Sequence, residues 1–381
     1  MKKTVLQITP FFRPGIGGIQ THLDDLCEYL RNNDWYIYVY TYQPLALRKR
    51  VSRLEIRKNL EVHRITWIPG DWSIILGNYA FIRFLYLVPV LLAGCFWFML
   101  FNHWKIKVIH AHGVHAGFIA VALKIIFNKR IILSTHAVYG KDVSSSKRFM
   151  KNYLTPLLLR HFDRILTVSD DSTEQLVKQG AQREKIQRYT QWVNQDIFKP
   201  YDKEKVRKEL NLNYRKIVLL VGRLVLDKGI KLMVEVAKKM KEIDFVFVGE
   251  GLLSQWLERQ EGKVSNIHYL GKADNYDLPR YYSAADLVCI PSLSKEGSPR
   301  VVLEAISCGV PVVASSKVAF SEAIIEGEMG LLFEPSVKDT ISVILHILDN
   351  QGRYSKNHFD FSRREYTEDN ARVIIDSYLG K

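Results

Sequence analysis

The chain has 381 residues, of which 47% are hydrophobic and 25% are charged. This length is natural for two domains, and the composition excludes a largely disordered chain. The formal net charge of +14 lies in the N-terminal half, because residues 1–200 contain 28 Lys and Arg against 14 Asp and Glu, whereas residues 201–381 contain 26 of each. This excess indicates a solvated basic face, an anionic membrane partner or a nucleic-acid partner.

The start of the chain and its cysteines indicate an intracellular protein. "KTVLQIT" reads directly as a strand, so no signal peptide is predicted. The cysteines show no metal-ligand spacing and no disulfide framework, and they are expected to be small buried hydrophobic residues, which fits a cytosolic compartment. They are Cys27, Cys95, Cys289 and Cys308.

The N-terminal half alternates predicted strands and helices. A glycine loop, "PGIGG", follows the first strand and opens an amphipathic helix. Residues 45–61 are basic and look irregular. Further strands are predicted at "YIYVYTY", "EVHRITW", "KVIHAHG", "RIILSTHA" and "RILTVSD". The alternation predicts a parallel, doubly wound sheet.

Residues 84–101, "FLYLVPVLLAGCFWFMLF", interrupt this pattern with 18 uncharged, mostly apolar residues. The length is at the lower limit for a transmembrane helix, but Pro89, Gly94 and the strand-like sequence that follows argue against a span. A helix covered by its own domain and a helix embedded in the membrane interface remain as alternatives. The positive charge and four nearby tryptophans favour a surface that meets anionic head groups. They are Trp67, Trp72, Trp97 and Trp104.

The C-terminal half repeats the alternation. Residues 199–215 are charged and predict a linker and the first helix of a second unit. Strands and helices then alternate from "KIVLLVG" to "PVVAS", and "YTEDNARVIIDSYL" predicts a last amphipathic helix. Such sheets bind ligands at the carboxyl ends of their strands. The predicted domains are residues 1–198 and 199–360, followed by a C-terminal helix at 361–381 that can return to the N-terminal domain.

The segment "EGSPRVVLE", residues 296–304, carries two glutamates around a helix start. Ser298 suits an N-cap and Pro299 the first helical position, so a helix is predicted at about 299–308. Such an N-terminus attracts phosphate, Arg300 adds positive charge, and the glutamates can accept hydrogen bonds from sugar hydroxyls. The segment therefore predicts a sugar-nucleotide site. Surface glutamates are the alternative, since the Glu-x7-Glu spacing occurs four times in the chain.

Two further loops have the chemistry of a diphosphate site. "GRLVLDKG" follows a strand, so Arg223 and Lys228 lie where both could bind a diphosphate. In "PGIGGIQTH", Gly17 and Gly18 would allow a phosphate to approach the backbone closely. The glycine loop by itself is a weak signal.

The ordered motifs Gly17-Gly18, "STHAVYG", "TVSD", "VGRLVLDKG" and "EGSPRVVLEAISCGVPVVAS" together resemble the GT4 family of retaining glycosyltransferases, over about residues 4–345. The resemblance implies the GT-B fold, in which two Rossmann-like domains with doubly wound parallel sheets face each other across a cleft. It also implies transfer of a sugar from a nucleoside-diphosphate sugar to an acceptor hydroxyl. The basic, apolar N-terminal half resembles membrane-associated members. This implies a lipid-linked or membrane glycan as acceptor and a cytoplasmic protein peripheral to an anionic membrane surface.

The resemblance also implies roles for single residues. Glu296 would bind the donor sugar and Glu304 the nucleotide ribose. The implied catalytic residues are Glu296, His136, Arg223 and Lys228. The implied donor-binding residues are Gly17, Gly18, Arg223, Lys228, Gly271, Lys272, Glu296, Gly297, Ser298, Pro299, Arg300 and Glu304.

Within these sets, the family pattern assigns different parts of the donor. Arg223 and Lys228 would neutralise the diphosphate, and the Gly17-Gly18 pair would close on it from the other domain. His136 would lie beside the reacting sugar, with a satisfied buried histidine as the alternative. The "GKAD" stretch that begins with Gly271 and Lys272 would lie near the base. His110 and His112 are expected to be structural.

The chain departs from the family pattern at two segments and lacks the metal-binding motif of other glycosyltransferases. No Asp-x-Asp pair occurs, so no metal and no cofactor beyond the donor is expected to be required. The chain has "QWVN" at 191–194 where the family often has Asn-Gly-Val-Asp, and "KVAFSE" where it often has a glycine pair, which leaves the donor open. A sugar-nucleotide epimerase acting on the donor alone is the enzymatic alternative. A nucleic-acid-binding protein is disfavoured because the basic residues are dispersed.

Overall fold

The computed structural model describes residues 3–15, 17–44, 51–68, 80–135, 155–212, 216–296, 299–318, 329–354 and 358–381. The chain divides into two compact units. Unit 1 contains residues 1–190 and 369–381, and unit 2 contains residues 191–368. The corresponding boundaries in the sequence prediction are 198/199 and 360/361.

Strands and helices alternate along both units. The described strands are β1 (Lys3–Ile8), β2 (Trp35–Tyr42), β3 (Leu54–Arg57), β4 (Leu60–Ile65), β5 (Val108–His112), β6 (Arg130–Ser134), β7 (Arg164–Thr167), β8 (Ile186–Arg188), β9 (Ile217–Val221), β10 (Asp244–Val248), β11 (Ile267–Tyr269), β12 (Leu287–Ile290), β13 (Val312–Ser315) and β14 (Gly330–Phe333). The described α-helices are α1 (Gly18–Asn32), α2 (Ala80–Leu87), α3 (Pro89–Asn102), α4 (Val114–Phe127), α5 (Thr155–Arg160), α6 (Asp170–Lys178), α7 (Lys203–Glu209), α8 (Ile230–Lys239), α9 (Ser254–Glu261), α10 (Leu278–Ala284), α11 (Arg300–Ser307), α12 (Val337–Asp349), α13 (Gln351–Tyr354), α14 (His358–Glu365) and α15 (Arg372–Leu379).

Unit 1 is built on an eight-stranded sheet with the order β3-β4-β2-β1-β5-β6-β7-β8. Neighbouring strands are parallel except β3 and β4, which form an antiparallel pair. The prediction that 45–61 is irregular was therefore wrong for Leu54–Arg57, where an alternation of only four residues is ordered by backbone pairing with β4. The strand order reverses between the central strands β1 and β5, so the switch point of unit 1 lies at their carboxyl ends.

Unit 2 has a six-stranded sheet with the order β11-β10-β9-β12-β13-β14, and all its strand pairs are parallel. The chain runs outward from β9 to β11, then returns to β12 beside β9 and runs outward on the other side. The switch point therefore lies between β9 and β12. The predicted pair of doubly wound, parallel-sheet domains is confirmed, and the four cysteines are free and buried, as predicted.

The apolar segment around residues 84–101 forms α2 and α3, which meet at Val88. Proline suits the start of α3 because its missing N–H would have no partner in the first turn. One face of α3 is buried against β2, and the Phe98 ring lies 5.0 Å from that of Tyr38 and 5.2 Å from that of Tyr40. Among the described residues, Phe81–Asn102 is the one stretch long and apolar enough to cross a membrane by length and composition, and a third of it is buried.

A buried polar cluster attaches α15 to the sheet of unit 1. The Tyr378 hydroxyl lies 2.6 Å from His110 Nδ1 and accepts a hydrogen bond of 2.9 Å from Gln7 Nε2. His112 Nε2 lies 2.7 Å from Gln7 Oε1. Both histidines are buried with polar partners, so they belong to the packing of β1, β5 and α15.

Candidate active site

The loops that follow β9 and β12 meet at the switch point of unit 2. Arg223 and Lys228 lie in the first loop, and Glu296 lies in the second. The Lys228 Nζ atom is 2.6 Å from Glu296 Oε2. Arg223 is exposed to solvent. The structure therefore brings together two of the predicted residues, Lys228 and Glu296, and places Arg223 on the same loop as Lys228.

The position of the Glu296 side chain is fixed from two sides. Ser292 is fully buried, and its hydroxyl donates a hydrogen bond to Glu296 Oε1. The backbone N–H of Glu296 donates to the Lys317 carbonyl at 3.0 Å, just after β13. Only 15% of the Glu296 side chain and 27% of the Lys228 side chain are exposed. The carboxylate thus lies at the rim of the site with one oxygen on a hydroxyl and one on an ammonium group.

The two loops are also joined through their backbones. The Leu293 N–H donates to the Asp227 carbonyl at 2.7 Å. Gly229 has φ +71°, and a Cβ atom there would lie 1.9 Å from the Pro291 carbonyl oxygen. Only glycine fits this contact, because any side chain would push the loops apart and would sit in a strained backbone conformation. The "DKG" turn therefore sets the separation of Lys228 from Glu296.

Helix α11 begins at Arg300, so the prediction that it starts at Pro299 was wrong by one residue. Pro299 has the extended φ/ψ values of −72° and 120° and precedes the helix. Its ring fixes φ and leaves no N–H to pair, which suits this position equally well. Gly297 and Ser298 lie outside the described residues, so the predicted N-cap remains a prediction.

Arg300 and Glu304 form a buried pair inside unit 2 and are 5% and 4% exposed. Arg300 Nε is 3.3 Å from Glu304 Oε1, and Arg300 Nη1 donates to the Trp192 carbonyl at 3.1 Å. The Tyr282 hydroxyl donates to Glu304 Oε2 at 2.8 Å. Burial and then the adjacent Glu304 carboxylate raise the pKa of Tyr282 well above its ordinary value, so this phenol stays a donor.

This arrangement differs from the expected one at two positions. Arg300 is turned into the protein toward Glu304 and the "QWVN" segment, whereas a phosphate-binding role requires its guanidinium group at the helix start. Both Glu304 oxygens have protein partners. These two bonds leave lone pairs free on the carboxylate, but Glu304 is only 4% exposed, so a ribose contact stays a prediction.

The remaining predicted residues of unit 2 lie on an adjoining loop. Gly271 and Lys272 follow β11, two strands from β9. The Gly249 N–H donates to the Gly271 carbonyl at 2.7 Å, and the Gly222 N–H donates to the Val248 carbonyl at 3.0 Å. The loops after β9, β10 and β11 therefore form one connected rim.

Ser292 and Gly249 were not predicted to belong to the site. A Cβ atom on Gly249 would lie 1.8 Å from the Gly222 carbonyl oxygen, so the loops can meet only if this residue is glycine. The available signal was "VGEG" directly after an apolar strand. Ser292 had no comparable signal, because a single serine after a strand is common.

In unit 1, Gly17 and Gly18 stand where α1 begins, after β1 at the switch point of that sheet. The Thr21 N–H donates to the Gly17 carbonyl at 3.1 Å, which closes the first turn. His136 lies outside the described residues, so its role stays a prediction. Among the residues that the structure describes, no group of three or more His, Cys, Asp or Glu is placed to hold a metal ion.

The chemistry of unit 2 suits a polyhydroxylated anion. Lys228 and Arg223 supply positive charge at the carboxyl end of β9, and Glu296 supplies an acceptor for hydroxyl groups beside them. The loops around them are fixed by glycine contacts rather than by long flexible side chains. This edge of the sheet is therefore pre-organised, which lowers the entropy lost when a ligand binds.

Two family models match consecutive parts of the chain. The model described as Glycosyltransferase Family 4 matches residues 16–194, and the model described as Glycosyl transferases group 1 matches residues 202–372. An uncharacterised glycosyltransferase of Methanocaldococcus jannaschii is 25% identical over 406 aligned positions, which cover 96% of this chain and 95% of that protein.

Solved structures share the fold over the whole chain. Sucrose-phosphate synthase from Thermosynechococcus elongatus has a TM-score of 0.84 and 20% sequence identity, with 99% of this chain and 98% of that chain covered. The HepE protein of Anabaena, solved in complex with UDP and glucose, has a TM-score of 0.77 and 17% identity, with 100% of both chains covered.

Proposed function

The chain belongs to the GT4-type glycosyltransferases with the GT-B fold, and from this premise we propose that it moves a sugar from a nucleoside-diphosphate sugar to an acceptor hydroxyl with retention of configuration. The acceptor is a lipid-linked or membrane-borne glycan on the cytoplasmic face of a membrane. The observation that carries the donor part is the Lys228–Glu296 pair at the switch point of unit 2.

The reaction replaces the bond from the anomeric carbon to the diphosphate by a bond to the acceptor oxygen. Negative charge grows on the departing diphosphate, and positive charge grows on the anomeric carbon. Lys228 and Arg223 stabilise the diphosphate, since fixed cations act most strongly where charge develops. Retention follows when the diphosphate accepts the proton of the incoming hydroxyl on the face that it leaves.

Glu296 exchanges its ammonium partner for the donor. When the diphosphate binds, Lys228 turns to it, and Glu296 Oε2 becomes free to accept hydrogen bonds from the sugar hydroxyls. Ser292 keeps the other carboxylate oxygen in place during this exchange. The buried Arg300–Glu304 pair supports the start of α11. The proposal keeps the roles that the family resemblance implies for the remaining residues. Gly17 and Gly18 approach the diphosphate, Gly271 and Lys272 lie near the base, and His136 lies beside the reacting sugar.

The comparisons support a nucleotide-sugar donor only by analogy, since HepE was solved with UDP and glucose. The sugar-nucleotide epimerase is not favoured, because both family models describe glycosyltransferases. No metal and no cofactor beyond the donor enters the proposed reaction.

The proposal is tested by incubating the purified protein with radiolabelled UDP-sugars and GDP-sugars and with host membranes. Label is counted separately in organic and aqueous extracts. We expect label from one donor in the organic extract. Label only in an aqueous product would refute the lipid-linked acceptor. Conversion of the donor into another nucleotide-sugar in the absence of membranes would show that the protein is an epimerase rather than a transferase.

A further inference from the structure

The outer face of α3 is apolar although it is exposed. Trp97 is 65% exposed and Phe101 is 57% exposed, and Trp104, just beyond the helix, is 59% exposed. A surface helix in water normally carries polar side chains on its outer face, because only one stripe has to face the core. Here the inner stripe is also apolar, so the helix has an apolar face toward the core and a second one toward the solvent, and such a second face marks an interaction surface.

The exposed apolar positions of α3 form one stripe and continue onto its neighbours. The Phe127 ring at the end of α4 lies 5.9 Å from the Phe96 ring in α3 and 5.6 Å from the His103 ring just beyond α3, which joins the two helices. Arg83 is the one charged residue between positions 81 and 102. The surface, called the apolar shelf below, consists of Phe81, Ile82, Leu85, Trp97, Leu100, Phe101, Trp104, Ile125 and Ile126, each at least 40% exposed.

Basic residues border one end of the apolar shelf. Lys105 and Lys107 follow Trp104 in the chain and are exposed. Lys129 lies beside Lys107, since their strands β6 and β5 are neighbours. Burial and then the charge of Lys107 lower the pKa of Lys129. Positive charges are thus held close enough to repel each other, which an anionic group would relieve.

We propose that the apolar shelf docks in the plane of an anionic lipid bilayer, with its aromatic residues in the head-group region and Lys105, Lys107 and Lys129 against lipid phosphates. Tryptophan is enriched at this depth in membrane proteins, and lysines beside an apolar face add attraction to anionic lipids. The excess charge of the chain lies within residues 1–200, which contain the whole shelf.

The packing of α3 distinguishes docking from spanning. The stretch Phe81–Asn102 is long enough to cross a membrane, so the buried face of α3, and not its length, distinguishes the two arrangements. Its inner face carries the buried residues Leu91, Cys95, Phe98 and Met99. A span would remove all four from the core of unit 1. Shallow insertion buries only the exposed stripe and leaves the sheet intact.

Charge disfavours a second copy of the chain as the occupant. Residues 81–130, which contain the shelf and its lysine border, include no Asp or Glu, so a second shelf would offer these lysines no anionic group. An anionic bilayer supplies such groups along the whole border. This inference rests on the proposed membrane-borne acceptor only for its biological purpose, because docking is measured without donor or transfer.

The test is flotation of the purified protein with vesicles of phosphatidylcholine, with and without phosphatidylglycerol. We expect the protein to float with the anionic vesicles. Replacing Trp97, Phe101 and Trp104 with serine should weaken binding at least about tenfold. Replacing Lys105 and Lys107 with glutamine should weaken binding to the anionic vesicles by about fivefold per lysine.

A matched control carries the same kind of substitution at exposed leucines elsewhere, Leu157 and Leu345, which are 58% and 44% exposed. Its binding should equal that of the wild type. The proposal would be overturned if the wild type did not bind the anionic vesicles. It would also be overturned if the variant with serine at 97, 101 and 104, called the tryptophan variant, bound them as well as the wild type. If the vesicle-bound protein resisted alkaline extraction, the segment would span the membrane rather than dock on it. If the wild type formed a dimer that the tryptophan variant could not form, a second copy of the chain would be the occupant of the shelf.

Sugar transfer is measured separately on each variant with a detergent-solubilised acceptor. Retained transfer with lost flotation supports the docking surface. A wild type that transfers sugar but does not float with the vesicles would overturn docking alone and leave the proposed function in place.

Discussion

Helix α3 of unit 1 and helix α11 of unit 2 both pack on the sheet of their own unit, but they distribute polar and apolar side chains in opposite ways. Seven of the eight residues of α11 are buried, and these include Arg300 and Glu304. In α3, Trp97 and Phe101 are more than half exposed. A buried charge and an exposed aromatic patch are the two departures from ordinary burial that carry information.

The difference shows where each helix finds its partners. In α11 the buried charges are satisfied inside the same unit by Tyr282, by the Trp192 carbonyl and by each other. In α3 the exposed aromatic rings leave surface that water solvates poorly. The first arrangement supports a site within the protein, and the second indicates a partner outside it.

The largest expected effect comes from the loop before α11. Glu296→Gln keeps the shape of the side chain but removes its charge, so transfer should fall by about 10²–10³-fold in kcat, the usual loss for one electrostatic group at a reacting centre. Steady-state kinetics with the identified donor measures it, and the melting temperature should not fall.

The matched control for this variant is Glu235→Gln. Glu235 pairs with Lys238 at 2.6 Å, as Glu296 does with Lys228, but its side chain is 55% exposed on the surface of α8. Its transfer rate should equal that of the wild type. Unchanged turnover in Glu296→Gln would remove Glu296 from the site.

The next effect concerns the buried pair of α11. Arg300→Met leaves the Glu304 carboxylate buried without its cation, which should lower the free energy of unfolding by about 3 kcal/mol. Adding Glu304→Leu to this variant should recover part of the loss. Urea unfolding measures both, and Arg183→Met at an exposed ion pair is the control. A double variant less stable than Arg300→Met would contradict this account of the pair.

On α3, adjacent aromatic residues should behave oppositely. Phe98 is 8% exposed, so Phe98→Ala should cost about 3 kcal/mol of stability through the cavity that it leaves. Trp97 is 65% exposed, so Trp97→Ala should change stability by less than about 0.5 kcal/mol in vesicle-free buffer. Chemical denaturation measures both. Equal losses would mean that Trp97 packs within the protein and that the shelf is smaller than described.

The smallest expected effect depends on pH and tests another buried charge of unit 2. Burial opposes ionisation of Asp286, but hydrogen bonds and charges from Lys203 and Arg207 outweigh it and lower its pKa below the ordinary value of 3.8. Its stabilisation, about 2 kcal/mol for hydrogen bonds to a charged group, is complete above that ordinary value. It should disappear as the pH falls through the lowered pKa.

The stability difference between wild type and Asp286→Asn, measured against pH, checks this sign. The difference should be constant from neutral pH down to about pH 5 and should shrink below it. A difference that grows on acidification would show that the pKa of Asp286 is raised in the folded protein.

The strand and helix alternation and the order of the motifs along the chain could be predicted from the sequence. Apolar strands such as "KIVLLVG" and "FVFVG", each followed by a helical pattern, indicated both parallel sheets. The sequence placed Lys228 at the end of a strand and Glu296 in the loop before a helix, and the structure shows the two side chains in contact. These features are local, so a window of a few residues contains the signal.

Contacts between distant residues could not be predicted. Tyr282 donates to Glu304 from 22 positions away, and Arg300 reaches Trp192 across 108 positions. No local pattern announces either pair, so Arg300 seemed available to phosphate. The outer stripe of α3 was ambiguous for the opposite reason. A helix that is apolar on all sides does not reveal which face the core covers.

The return of residues 369–381 to unit 1 imposes an order on biosynthesis. All of unit 2 is translated before Tyr378, which fills the cluster around Gln7 and His110. The first unit to leave the ribosome is therefore the last to be completed, although unit 2, a single continuous segment, can already have folded. Until α15 has emerged, Gln7 and His110 cannot make their contacts with the Tyr378 hydroxyl.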